Sequence, residues 1–142
     1  MKNILVLCTG NSCRSQMAEA YLRHFADGKA AIYSAGIEAH GVNPYAIKVM
    51  QLDGIDMSSH TSNVIDDYLD LTFDSIITVC DKAKENCPFF PGKAERYHQN
   101  FPDPAKAKGT EKEILDEFIS VRNRIKTFSK DFIKQLPAIS EK

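Results

Sequence analysis

Neither sign of charge is in excess in this chain of 142 residues. Lys and Arg number 18 against 19 Asp and Glu, a formal net charge of −1. Nucleic-acid and membrane-surface proteins favour basic stripes, so the balance argues against both partners. No apolar run approaches the roughly 18 residues that a membrane-crossing helix needs. Met1-Lys2-Asn3 leads straight into a strand-like segment with no signal-peptide stretch. A cytoplasmic location is therefore expected. Cysteine is scarce, four residues in all, and in a reducing cytosol these thiols are expected to be free and chemical rather than structural staples. The glycine-rich pattern ending in Gly-Lys-Ser/Thr that marks a nucleotide-binding loop is absent. Zinc is poorly served too: no Cys-x2-Cys pair occurs, and His24, His40, His60 and His98 form no paired motif. Internal repeats, low-complexity tracts and linkers are also missing. The length suits one domain, residues 1–142, able to bury its own core.

What is present alternates between strand and helix signals. Residues 2–7 read as a strand, 14–26 as a helix with Met17, Ala20, Tyr21 and His24 at helical spacing, and 31–35 as a second strand. Asn43 followed by Pro44 starts a helix that runs to about Leu52 and ends at Gly54. Residues 61–69 form a short irregular or helical piece, 75–79 a β-branched buried strand, and 94–98 a weaker strand. From Lys112 to Gln135 the apolar stripe Ile114, Phe118, Val121, Ile125, Phe128 and Phe132 marks a long amphipathic helix that packs on the core. The expected fold is α/β: one three-layer domain with a central four-stranded parallel sheet flanked by helices. Ligands bind such sheets beyond the carboxyl ends of the strands.

The most informative segment lies there. Cys8-Thr9-Gly10-Asn11-Ser12-Cys13-Arg14-Ser15 follows the apolar run Ile4-Leu5-Val6-Leu7 at a strand-to-helix turn. The helix beginning near Ser12 would aim free N–H groups and its positive dipole end into the loop, a cradle for an oxyanion. Arg14 adds a planar fork of donors. The same field favours the thiolate of Cys8, a nucleophile near neutral pH. Cys13 reads more simply as a small apolar wall.

A second group of thiols, Cys80 and Cys87, follows the strand ending at Val79. Parallel strands would bring Cys80 to the same sheet edge as Cys8, although 72 positions separate them. Cys80 and Cys87 fit either half-buried loop positions or a redox relay, in which one thiolate attacks a sulfur-bound intermediate and another takes over the disulfide. The segment between them is rich in helix formers. A helix there would hold the two Cα atoms about 10 Å apart, beyond the roughly 7 Å a disulfide tolerates, so an oxidised pair would require it to unwind. Asp103, stiffened by Pro102 and Pro104, is either an ordinary turn residue or a proton donor to a departing oxygen.

Cys-x5-Arg-Ser resembles the N-terminal phosphate loop of the low-molecular-weight tyrosine phosphatases. Together with Cys80, Cys87, Ser34-Ala35-Gly36-Ile37 and Gly41-Val42-Asn43-Pro44, it makes residues 2–134 similar to the thioredoxin-coupled arsenate reductases. In phosphatases tyrosines typically follow the Asp-Pro pair, where this chain has Ala105-Lys106.

The resemblance implies that arsenate, with phosphate or sulfate as analogue anions, is held by the amides of Thr9, Gly10, Asn11, Ser12 and Cys13 and by Arg14. It makes Cys8 the nucleophile and Asp103 the acid, has Ser15 hydrogen-bond the Cys8 thiolate, and has Asn11 hold the loop in shape. A transient Cys8–Cys80 disulfide then passes to Cys80–Cys87, which thioredoxin reduces as external reductant. Arsenic detoxification is the implied role, with a weak phosphatase side activity. No organic cofactor is implied, and the chain is expected to act as a monomer.

Some relatives hold potassium beside the loop, at positions matching Asn11, Glu19, Ser34 and Asn63. Asn63 replaces a carboxylate, so weak potassium binding or none is expected. The stretch 106–110 carries no readable role. Two competing readings are a phosphatase acting on phosphoesters and a non-catalytic redox or oxyanion sensor. Ala105, Lys106 and the Cys80/Cys87 pair speak against the first.

Overall fold

A computed structural model describes residues 2–81 and 89–136. Strand β1 (Lys2–Leu7) alternates between two apolar clusters, as a strand's two-residue period requires. Ile4, Val6 and Cys8 enter the larger core, while Leu5 and Leu7 enter a smaller one with Ala35, Phe73, Ile76 and Phe90. Burial on both faces explains why this strand is continuously hydrophobic.

The chain continues through α1 (Arg14–Ala26), β2 (Ala30–Ala35), α2 (Pro44–Leu52), a 3₁₀ turn (Ile65–Tyr68), β3 (Ser75–Thr78), β4 (Glu95–His98), a second 3₁₀ turn (Pro104–Lys106) and α3 (Glu111–Gln135). The four strands form a sheet in the order β2-β1-β3-β4 with every pair parallel. The expected sheet is thus observed, with the weak strand beginning at Glu95. The α1 helix spans Arg14–Ala26 as its spacing predicts, two residues after the Ser12 start the loop suggests, because residues 11–13 bend around the site. The sequence did not suggest the 3₁₀ turn at Pro104–Lys106.

All three α-helices place their buried residues in the larger core on one face of the sheet. Phe118, Val121, Ile125 and Phe132 of α3 are buried there, opposite Met17, Tyr21 and Leu22 of α1. His24 shares the spacing of the buried α1 residues but is exposed. Tyr33, Ile65 and Tyr68 cover the smaller cluster on the other face. No helix among the described residues is long and apolar enough to cross a membrane.

Strand order places β1 at the reversal of the winding, with β2 on one side and β3 on the other. A crevice opens at such a point beyond the carboxyl ends of the strands. The loop at Cys8 leaves β1 there.

Candidate active site

Three helical elements begin with a side-chain cap: Asn43 accepts from Tyr45 N, Asp103 from Ala105 N and Thr110 from Glu113 N. The start of α1 differs. Its N-cap residue, Cys13, makes no side-chain cap bond, and the first turn holds no acidic residue. The positive end of α1 is therefore left for a ligand.

The carbonyls of the preceding loop are held one by one. Thr9 O accepts from the N–H groups of Ile37 (2.9 Å) and Glu38 (3.2 Å). Gly10 O accepts from His40 N at 3.0 Å. Asn11 O accepts from Ser62 Oγ at 2.8 Å and Gln16 Nε2 at 3.1 Å. Ser12 O accepts from Asn43 N, and Cys13 O from Met17 N. In a planar trans peptide the C=O of one residue and the N–H of the next point in opposite directions. Five outward carbonyls thus turn the amides of Gly10, Asn11, Ser12, Cys13 and Arg14 to the other side, an array suited to an oxyanion.

Asn11 is the hub of this loop. Its backbone is left-handed, with φ 47°. Its amide nitrogen donates to Ser15 Oγ and Ser34 Oγ, both at 2.9 Å, and its Oδ1 accepts from Asn63 N (2.7 Å) and Gln16 Nε2 (3.2 Å). The fully buried Gln16 also donates to Thr61 O. Since the Gln16 nitrogen faces only acceptors, its oxygen must be the atom facing His60 Nδ1 at 2.9 Å, so His60 donates there. Burial pulls His60 below its ordinary pKa, which favours the neutral ring.

Cys8 and Cys13 are buried and stand outside any disulfide. Burial foremost, then the nearby Asp103 charge, pushes the Cys13 thiol up to about 12, which keeps it protonated at neutral pH. Cys80 is fully buried and disulfide-bonded. It shares the larger core with Cys8, Cys13 and Phe101, because Val79 N bonds Leu7 O and extends the β1–β3 register past the strand ends. Cys87 and the segment expected to be helical before it lie outside the described residues.

Arg14, only 4% exposed, donates to Phe101 O at 3.2 Å and stands 3.7 Å from Asp103 Oδ2. Phe101 N in turn bonds Val79 O. The backbone of one residue, Phe101, thereby ties the guanidinium, the carboxylate loop and the chain that leads from β3 to Cys80 together. An aromatic cleft of about 790 Å³ lined by Tyr97, Phe101, Phe128 and Phe132 opens between β4 and α3. None of the described cysteines lines it.

The four positions matched to a potassium site converge, and their side-chain oxygens already accept protein hydrogen bonds. Glu19 Oε1 accepts from Ser34 and Oε2 from Arg23; Ser34 Oγ accepts from Asn11, and Asn63 Oδ1 accepts from Thr61. Asn11 Oδ1 takes the two donors already described. Among the described residues no group of three or more His, Cys, Asp and Glu could hold a metal ion.

The sequence profile of the low-molecular-weight phosphotyrosine protein phosphatases matches residues 3–141. The chain belongs to that family. Within it, the chain is 50% identical over 132 residues to an arsenate reductase of Halalkalibacterium halodurans, covering 90% of this chain and 95% of that one. It is 47% identical over 131 residues to an arsenate reductase of Bacillus subtilis, covering 92% and 94%. A solved arsenate reductase in its phosphate-binding state superposes with a TM-score of 0.78 at 30% identity, covering 96% of this chain and 99% of that one.

Gln16, His60, Ser62 and the segment Gly36–Asn43 were not anticipated as parts of the site. The one available signal was a polar residue, Gln16, on a helix whose neighbours Met17, Ala20 and Tyr21 are core.

Proposed function

We propose that this chain is an arsenate reductase that converts arsenate to arsenite through Cys8 and a relay of Cys80 and Cys87, with thioredoxin as the final reductant. The observation that carries the reading is the burial of Cys8 and Cys80 in one cluster around an oxyanion loop, in a chain half-identical to arsenate reductases.

The loop amides and Arg14 bind the tetrahedral anion and balance its charge. The Cys8 thiolate attacks arsenic, and the displaced oxygen leaves as water after taking a proton from Asp103. Asp103 is partly exposed, 22%, and so can be reprotonated from solvent. Ser15 supports the Cys8 thiolate. Cys80 then attacks the Cys8 sulfur. The sulfur–arsenic bond breaks, its electron pair stays on arsenic, and arsenite departs while a Cys8–Cys80 disulfide forms. Cys87 attacks Cys80, returning the Cys8 thiolate and leaving a Cys80–Cys87 disulfide. Thioredoxin reduces that bond by dithiol exchange, supplying the two electrons arsenic received. No organic cofactor takes part, the protein acts as a monomer in the cytoplasm, and the reaction serves arsenic detoxification.

A phosphatase needs only the loop, Arg14 and Asp103, and leaves Cys80 and Cys87 without a task. Weak hydrolysis of a model phosphoester is nevertheless expected, because phosphate shares arsenate's geometry. The deciding experiment is NADPH consumption with arsenate, thioredoxin and thioredoxin reductase. Steady turnover supports the reductase; a single stoichiometric burst would favour a sensor instead, and no reaction would contradict both.

A further inference from the structure

A chain of polar contacts links a surface guanidinium to the oxyanion loop. Arg23, on the last turn of α1, places Nη2 2.7 Å from Glu19 Oε2 and 2.6 Å from the carbonyl of Ile32. Ser34, fully buried in β2, donates to Glu19 Oε1 and accepts from Asn11 Nδ2. Asn11 is the left-handed hub of the loop, bonded to Ser15, Gln16, Ser34, Ser62 and Asn63.

Glu19 is only 9% exposed. A buried carboxylate needs a counter-charge, and without one it repels an anion bound nearby. His60 and Tyr68 share a polar cavity of about 210 Å³ with Glu19 and Arg23, and burial favours the neutral form of both. The compensating charge therefore comes from Arg23. The oxygens that would ligate potassium already accept protein hydrogen bonds, and the Arg23 guanidinium supplies positive charge beside Glu19 without an ion.

We infer that Arg23 is a positioning residue, a built-in counter-cation that pairs with Glu19 and, through Ser34 and Asn11, keeps the loop in its anion-binding shape without a bound monovalent cation. The inference rests on the loop binding an oxyanion and not on the reduction step.

The test measures how much inorganic phosphate protects Cys8 of the reduced protein from iodoacetamide, read by peptide mass. Potassium chloride is compared with tetramethylammonium chloride at equal ionic strength. Wild type should show the same half-protecting phosphate concentration in both salts. Arg23→Met should need roughly tenfold more phosphate in tetramethylammonium, in line with the loss of an outer-shell partner, and potassium should restore most of it. Arg23→Lys, which keeps the charge, should stay close to wild type. Potassium dependence in wild type would overturn the inference, as would unchanged protection of Arg23→Met. A loss in Arg23→Met that potassium does not restore would also overturn it, pointing to a packing role alone. No arsenate is used, so a failed turnover assay leaves this result interpretable.

Discussion

Gly36 lies directly against the Thr9 carbonyl: a Cβ on Gly36 would sit 2.5 Å from Thr9 O and 2.9 Å from Asn11 N. Both contacts are backbone, so neither can swing aside. Gly36 N also bonds Asn63 O, and its carbonyl accepts from Ile65 N, fixing the glycine between the loop and the segment that braces it. Gly36→Ala should therefore displace the loop, at a cost of about 1–3 kcal/mol. Phosphate protection of Cys8 is expected to weaken at least tenfold while the far-ultraviolet spectrum stays native. Wild-type affinity in the variant would show that the loop tolerates the shift.

Cys13 sits in the loop beside Cys8, yet burial holds its thiol at about 12. At pH 8 iodoacetamide should label Cys8 and spare Cys13. Cys13→Ala should keep turnover within about threefold, since the loop uses the backbone N–H and not the sulfur. Preferential labelling of Cys13 would reverse the assignment of the nucleophile.

The fully buried Ser129 Oγ on α3 has no hydrogen-bond partner among the described residues. An unpaired buried hydroxyl costs on the order of 1–3 kcal/mol. Ser129→Ala should raise the unfolding free energy measured in urea by about 1 kcal/mol and leave turnover unchanged. A loss of stability would mean that the hydroxyl is bonded in solution.

Asp53 joins the core helices at their solvent edge, accepting from Tyr21 Oη at 2.7 Å and lying 2.9 Å from Lys126 Nζ. The Tyr21 hydrogen bond first, then Lys126, holds its carboxyl below the usual range. A carboxylate depressed in the folded state stabilises the protein above its unfolded pKa, and the contribution fades as pH falls through the folded value. Wild type should thus lose stability below about pH 4 more steeply than Asp53→Asn. Parallel stability curves in acid would remove the assigned role.

Much of the frame was legible because its signals are local or periodic. Asn43-Pro44 announced α2, the four-and-three spacing from Ile114 to Phe132 announced α3, and alternating strands and helices implied the parallel sheet that brings Cys80 towards Cys8. The brace of the loop was not legible. Ser62 and Thr61 meet Asn11 and Gln16 only because the chain returns after some 45 to 52 residues, and a lone serine or glutamine carries no pattern of its own. By resemblance Glu19 marks an ion ligand; in the fold it pairs with Arg23, four residues along the same helix, while Ser34 closes its other side.

The central claim is that Cys8 passes its oxidation to Cys80 and then to Cys87. It is tested most directly by one turnover of reduced Cys87→Ser with arsenate, followed by acid quenching and peptide mass mapping. The account predicts one arsenite released per protein and a Cys8–Cys80 disulfide left in place, with hydrolysis of a model phosphoester intact. Arsenite release with both thiols still free, or no release from a variant that still hydrolyses the phosphoester, would contradict it.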